Sequence, residues 1–574
     1  MEEEIKQKIS VGLTKTIKKL SKEWETDLKL KEEQILNLLE TPPTYDLGDF
    51  AFPCFFLAKD FKMSPQDIAL KIKEELGSPW TGLEDIQTQG PYVNFFLDRK
   101  HLALDLIKNI KTQGNDFGSS EIGKGQKIVI DMSSPNIAKP FGIGHLRSTI
   151  IGNSIAKISE FVGYKSIKIN YLGDWGTQFG KMIFGYNKFG DGKKLKTNPI
   201  KHLLEIYVKS NKETYEENAR EEFKKLEQGN KESLKLWEKF KKLSLKKFDE
   251  IYSTLGIDFD VVSGESKYNN KMEPIINQLN KKKLLKKSEG AQIVDLKKYN
   301  LGVALIQKTD GTSLYATRDL AAAINRKKEY SFNKLFYEAG QEQTLHFKQV
   351  FKILELLGYS WASDCKHISH GLYLGKDGKR FATRKGKTIF MEDIFKETQE
   401  LAKKEIKKRS PKLSKKELNS RAHKVTIASI FYGDLKNYRE NNILFDIGRF
   451  TSFEGDTGPY LQYSYARASS ILKKIKKVPS NVSKLKDLEE KELQLVLKLN
   501  EFPEAVQKAY KNLNPAEIAN YSYSLAQIFN EFYHECPVIQ EKEKQAFRIS
   551  LVKSFRQVLK NSLNLLGINV LDRM

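Results

Sequence analysis

Cysteine is scarce in this chain: Cys54, Cys365 and Cys536 are the only three in 574 residues, far apart and odd in number. That argues against a disulfide framework, suits a reducing cytosol, and without a CxxC pair leaves structural zinc no ligand set. Long apolar runs are missing too. No uninterrupted stretch approaches the roughly 20 residues of a membrane span, and the N-terminus, MEEEIKQKIS, is acidic with no signal-peptide core. The phosphate-loop pattern GxxxxGK[ST] and the dinucleotide pattern GxGxxG are absent from the glycine-rich turn described below, so neither mechanism applies there. Acidic residues are outnumbered, 73 against 97 Lys plus Arg, and the net charge is +24. A polyanion such as nucleic acid is the simplest partner for that excess, although lysine-rich codon usage in an AT-rich genome would also produce it.

What is present describes a large globular chain, 40% hydrophobic and 30% charged, long enough for about three or four domains. Residues 1 to about 40 show helical periodicity, broken by TPPTYDLGD; an apolar stretch, a helix from Ser64 and the strand-like GPYVNFFL complete an α+β module ending near Gln126. From Lys127 to about Asn437 strand-like segments (KIVIDM, SIKINYL, AQIVDL, GVALIQK, KLFYEAG, HISHGLYL) alternate with helical ones, which predicts an α/β fold with a largely parallel sheet. A charged helical insertion spans about 186–255. After about Lys404 strand signals fade, and an all-helical bundle is expected from Asp446. The domains are therefore 1–126, 127–445 and 446–574.

The most informative run is SSPNIAKPFGIGHLRSTI, Ser133 to Ile150, between the strand-like KIVIDM and a long amphipathic helix. Glycines let the backbone approach a phosphate ester, and a helix N-terminus favours anionic oxygen. Gly142, Gly144 and His145 thus form a candidate nucleotide site, with an ordinary strand-to-helix turn as the alternative. Tyr315 and Asp319 lie four apart at a helix start and share a face, which by itself is more often a solvated one. Glu265 sits on a Gly-Glu-Ser turn. A selective site for a planar guanidinium with its five donors requires carboxylates able to grip it and to reject the point charge of an ammonium.

The turn Gly142-Ile143-Gly144-His145 resembles the HIGH motif of class I aminoacyl-tRNA synthetases. The words around it, SPNIAKP and LRST, together with NYLGDWGTQFGK, resemble arginyl-tRNA synthetases in particular, and the likeness extends from about Tyr45 to Met574. It implies a Rossmann-like class I catalytic domain with helical insertions, an N-terminal α+β domain contacting the tRNA D-loop, and a C-terminal all-α anticodon-binding bundle. The activity implied is ATP-dependent formation of arginyl-adenylate and transfer of arginine to tRNA(Arg), with tRNA needed for activation. Glu265, Tyr315 and Asp319 would line the side-chain pocket, while Asn136 and Gln343 hold the amino-acid backbone.

Gly371 and Leu372 in HGLYLG belong with the second nucleotide element, GKRFATRKGKTI. The family's KMSK loop aligns with Arg380-Phe381-Ala382-Thr383 and differs at every position, and Gly142 replaces the first His of HIGH. Arg384, Lys385 and Lys387 can compensate charge growing on the phosphates, and Lys139 is the candidate for the missing lysine. Tyr92 and Asn94 alternate on one strand and resemble the family's base readers, although burial of Tyr92 in a sheet is an equal alternative. Tyr460, Gln462, Tyr463, Tyr465 and Arg467 resemble the first helix of the anticodon-binding domain, where aromatics at helical spacing also suit a core. Magnesium would accompany ATP on its phosphates, no protein metal site is expected, and a cytoplasmic monomer is the default. A class I synthetase for another amino acid, or a synthetase-like RNA-binding protein that lost catalysis, are the rivals.

Overall fold

The computed structural model describes residues 2–574 except 27, 29, 308–314, 376, 377, 379–389, 476–484 and 486. Contacts divide the chain into two units: Met1–Gly114 with Ile475–Asn500 and Asn530–Ser554, and Asn115–Lys474 with Glu501–Phe529 and Phe555–Met574.

In the first unit Ile5, Ile9, Leu13, Ile17 and Leu20 recur at helical spacing along Glu2–Glu23 and are buried. They join one core with the helix Pro65–Leu76, whose Ser64 cap accepts from the Asp67 N–H. The same core includes an antiparallel sheet of β1 (Phe50–Pro53), β2 (Leu83–Gln89) and β3 (Tyr92–Leu97), with β3 central. Elsewhere in this unit Arg548, fully buried, is held by Glu492 at 2.6 Å and Glu489 at 2.7 Å.

In the second unit the strands are β4 (Lys127–Asp131), β5 (Lys165–Leu172), β6 (Val261–Gly264), β7 (Leu285–Ser288), β8 (Ala291–Asp295), β9 (Val303–Gln307), β10 (Lys334–Gly340), β11 (Cys365–His370), β12 (Tyr373–Leu374) and β13 (Ile443–Leu444). β11, β10, β4, β5 and β6 pair in that order, all parallel. This is the expected α/β architecture, but two segments differ from expectation. AQIVDL and GVALIQK are β8 and β9 of a separate antiparallel sheet with β7; β7 and β8 join through Glu289 and Gly290, both at positive φ, and hydrophobic pattern alone does not encode strand direction. One edge strand of the parallel sheet is instead VVSG, too short to read as one. Helices from Thr177 to Leu255 fill the β5–β6 connection, beginning earlier than expected. β13, pairing with β12, is a short exception to the helical C-terminal half.

Because β5 and β6 extend from β4 on one side and β10 and β11 on the other, the chain reverses direction across the sheet between β4 and β10. Ligands of open parallel sheets bind at the carboxyl ends of the strands at such a point. Beneath it Asp131, the last residue of β4, pairs with Arg326 of the helix Tyr315–Tyr330 at 2.6 Å, with side chains 6% and 1% exposed. The guanidinium also lies over the rings of Tyr171 and Tyr337, 4.9 and 5.4 Å away. Asp131→Asn leaves that cation uncompensated and is expected to cost about 3–5 kcal/mol, read by denaturant titration followed through Trp175, Trp237 and Trp361. A loss below about 1 kcal/mol would contradict the assignment.

Candidate active site

The turn after β4 is strained. Ser133, Ser134 and Ala138 adopt left-handed conformations, with φ of 73°, 46° and 60°, each unfavourable by about 1–3 kcal/mol. Neighbours over-determine it. The Ser133 N–H donates to Ser148 Oγ at 3.0 Å, Thr149 Oγ1 donates to Ser133 Oγ at 2.7 Å, and the Ala138 N–H donates to Ser244 Oγ at 2.8 Å. Gly173, at the end of β5, stitches the turn in place: its N–H donates to Pro135 O at 3.1 Å and its carbonyl accepts from Ile137 N–H at 3.2 Å. A Cβ at Gly173 would lie 2.3 Å from Asn136 Oδ1, so any other residue here would displace the Asn136 amide.

The turn leads to Gly142, the N-cap of the helix Ile143–Phe161. A Cβ on Gly142 or Gly144 would meet nothing within 4 Å, leaving open space at the positive end of the helix dipole. The Gly142 N–H donates to His145 Nδ1 at 3.2 Å, which assigns the ring proton to Nε2. Burial first, and then the Lys139 charge, push the His145 pKa down to about 4. At neutral pH it is therefore an uncharged Nε2–H donor. Lys139 Nζ donates to Gln178 Oε1 at 3.0 Å and lies 4.8 Å from the Tyr207 ring; Gln178 Nε2 in turn donates to Asn136 Oδ1 at 3.4 Å. One amide thus connects two predicted site residues.

Across the same sheet edge Glu265 follows β6. Asp174, fully buried, anchors this corner: it pairs with Lys241 at 2.6 Å and accepts from the Ser266 N–H at 2.8 Å and Ser266 Oγ at 2.7 Å. Burial pushes the Glu265 pKa up to about 8; Arg318 draws it down, and the Asp319 and Asp174 charges raise it further. The nearest guanidinium nitrogen of Arg318 is 4.0 Å from Glu265 Oε2, which has no hydrogen-bond partner. Tyr171 OH and Tyr337 OH are likewise buried without partners. Burial raises the pKa of Tyr171 most, and both Asp319 and Glu265 add to it, so this ring senses both carboxylates. Asp319 Oδ2 is bonded to His346 Nε2 at 2.6 Å. Two carboxylates with orphaned polar atoms around them fit a ligand rich in N–H donors.

Tyr315 opens the predicted helix, although its side chain lies outside the described residues. Gln343 is exposed on the 3₁₀ turn ending β10. Arg384, Lys385 and Lys387, with the whole segment aligned to KMSK, lie outside the described residues.

Other predicted site residues already have hydrogen-bond partners within the chain. The Gly371 N–H donates to Arg439 O at 2.8 Å and the Leu372 N–H to Asn442 Oδ1 at 2.7 Å, so neither remains to donate to a nucleotide. Gln462 is fully buried, its amide donating to Asn569 O at 2.7 Å and Lys424 O at 3.2 Å, a structural tie instead of a tRNA contact. Of the five residues singled out on the helix Gly458–Lys473, Tyr463 is the exposed one, with the Arg467 guanidinium 5.0 Å from its ring; the Tyr460 ring packs 5.6 Å from Tyr523. In the first unit Tyr92 is half-buried against the exposed Phe55, 5.5 Å between rings, but Asn94 is only 4% exposed. Strand alternation correctly placed Tyr92 and Asn94 on one face; it carried no information about depth.

Sequence reasoning also missed His346, Gln178 and the buried pair Glu338–His370, 2.7 Å apart at the ends of β10 and β11. Gln178 lies within the word NYLGDWGTQFGK already singled out, and His346 lies three residues after Gln343.

Comparison with known proteins fits this geometry. Residues 106–447 match the family described as tRNA synthetases class I (R), catalytic domain; 461–574 match the DALR anticodon binding domain and 3–97 the arginyl tRNA synthetase N terminal domain. An arginine–tRNA ligase of Ligilactobacillus salivarius is 45% identical over 557 residues, 96% of this chain and 98% of the relative. One from Clostridium acetobutylicum is 44% identical over 549 residues, 94% and 97%. The crystal structure of arginyl-tRNA synthetase from Plasmodium falciparum shares the fold at a TM-score of 0.78 and 24% identity, covering 99% of each chain. The catalytic unit is thus of the class I synthetase type. This chain belongs to the arginyl-tRNA synthetase family.

Proposed function

We propose that the chain activates L-arginine with ATP and transfers the arginyl group to the 3′-terminal adenosine of tRNA(Arg). The observation that carries the arginine assignment is the approach of Glu265 and Asp319 at the carboxyl edge of the sheet that also carries the Gly142–His145 turn. A guanidinium placed there satisfies both carboxylates and the Tyr171 hydroxyl, while a lysine ammonium offers a point charge to groups that need a spread of donors.

In activation an arginine carboxylate oxygen attacks the α-phosphorus in line, the bond to the bridging oxygen breaks, and pyrophosphate leaves with the electron pair. The ribose hydroxyl of tRNA then takes the arginyl group and AMP departs. Protein groups mainly position and stabilise charge. Asn136, steadied by Gln178, and Gln343 hold the amino-acid backbone. Neutral His145 donates Nε2–H to phosphate oxygen at the helix N-terminus beside Gly142 and Gly144. We assign Lys139 to the α-phosphate and Arg384, Lys385 and Lys387 to the departing pyrophosphate, on charge and sequence position. Magnesium would ride on the ATP phosphates. Among the described residues the one cluster of three ligand-type side chains, Glu489, Glu492 and Cys536, is already paired with Arg548 and Lys544.

Tyr92, and Tyr460, Tyr463 and Arg467, are the proposed tRNA contacts of the 1–126 and 446–574 segments flanking the catalytic 127–445. Asn94 would have to be uncovered to take part. No helix among the described residues is long and apolar enough to cross a membrane, and we place the enzyme in the cytoplasm as a monomer.

Two experiments test this. Full-length protein given total tRNA, ATP and labelled arginine should form arginyl-tRNA and, with labelled lysine, none above background; absence of arginyl-tRNA would overturn the function. Lys139→Ala should slow pyrophosphate exchange by at least ~100-fold, on the scale of losing an oxyanion donor, and wild-type exchange would remove Lys139 from the chemistry.

A further inference from the structure

An aspartate gripping a guanidinium must present its carboxylate in one plane, yet rotation about its terminal torsion is broad and weakly restrained. Something has to hold it. In this chain the restraint comes from the first turn of the helix Thr344–Leu357, which begins just beyond β10. His346 Nε2 lies 2.6 Å from Asp319 Oδ2, with the two side chains 23% and 19% exposed. A carboxylate oxygen only accepts, so Nε2 carries the proton and donates. The imidazole is itself held in place: its ring lies 5.3 Å from Phe347, which stacks on His367 at 4.8 Å.

Other carboxyl groups share this corner with Asp319, beside Arg318 and Arg326. The Asp319 charge raises the pKa values of both Glu265 and Asp131, and a hydrogen-bond donor on Oδ2 offsets part of that crowding. With Oδ2 committed, Oδ1 and the unpartnered Glu265 Oε2 remain for the ligand.

We propose that His346 is a positioning residue of the arginine site: by donating Nε2–H to Asp319 Oδ2 it fixes the carboxylate plane and leaves the other oxygen for the substrate guanidinium. The effect belongs to arginine binding and not to the nucleotide, because His346 sits on the β10 side of the pocket and bonds only to Asp319 among the hydrogen bonds described for its ring. This rests on the arginine-activating reading above.

The test is steady-state aminoacylation by the full-length enzyme. In His346→Ala the arginine KM should rise at least about tenfold, the scale of one charge-assisted hydrogen bond, with kcat at saturating arginine and the ATP KM each within about threefold of wild type. His346→Gln, whose amide donates at a reach close to Nε2, should recover most of the loss, whereas the shorter His346→Asn should not. An unchanged arginine KM in His346→Ala, or a fall in kcat with KM unmoved, overturns the proposal. Should the alanine variant melt below the assay temperature, equal arginine KM values for the Gln and Asn variants overturn it, and a tenfold gap in favour of Gln supports it. Failure of the wild type to charge arginine would instead overturn the function on which the proposal rests.

Discussion

Two carboxyl groups, Glu265 and Asp319, lie close enough to act on one another electrostatically, the Asp319 charge pushing the Glu265 pKa up. Arg318 stands 4.0 Å from Glu265 and draws its pKa down; the cation beneath the site, Arg326, is already committed to Asp131. Burial makes two anions here unfavourable, because they would repel and each would lose hydration, so Glu265 is held largely protonated near neutral pH instead. A guanidinium relieves both penalties at once. We propose that the unfavourable electrostatics of the pocket without arginine are the source of its selectivity, with the rest of the catalytic unit holding these groups where the sheet changes direction.

That holding is done by buried polar contacts at the strand ends. Gly173 ties the strained Ser133–Ala138 turn to β5, Asp174 ties the next residues to Ser266 and Lys241, and Asp131 ties β4 to the helix carrying Asp319. The groups proposed to bind nucleotide and arginine are thus positioned by one short set of residues at the carboxyl ends of β4, β5 and β6. A displacement at any of them would move both halves of the reaction centre, which is what a near-attack geometry cannot tolerate.

Much of this was legible in the chain. The strand–turn–helix at Ser133–Ile150, the helix beginning at Tyr315 and the parallel sheet follow from residue pattern, and the motif words gave the family. Other features were not legible, for definite reasons. Strand direction in AQIVDL and GVALIQK depends on partners remote in sequence. VVSG is a strand because β5 lends it hydrogen bonds, not because its residues insist on it. Depth separated Tyr463 from Gln462 and Tyr92 from Asn94, since periodicity assigns a face but not how far that face is covered. His346 carried no signal of its own; only the fold brings it to Asp319, 27 residues away in sequence.

Proton release on arginine binding tests the central claim most directly. Burial and the neighbouring carboxylates hold the Glu265 pKa up at about 8 without ligand, so near neutral pH that group is largely protonated. A bound guanidinium favours the anion and expels the proton. Calorimetric titration of the enzyme with arginine at pH 7, in buffers of different ionisation enthalpy, should show release approaching one proton, diminishing toward zero above about pH 8.5 and absent in Glu265→Gln. Binding at pH 7 with no dependence on buffer ionisation would contradict the account.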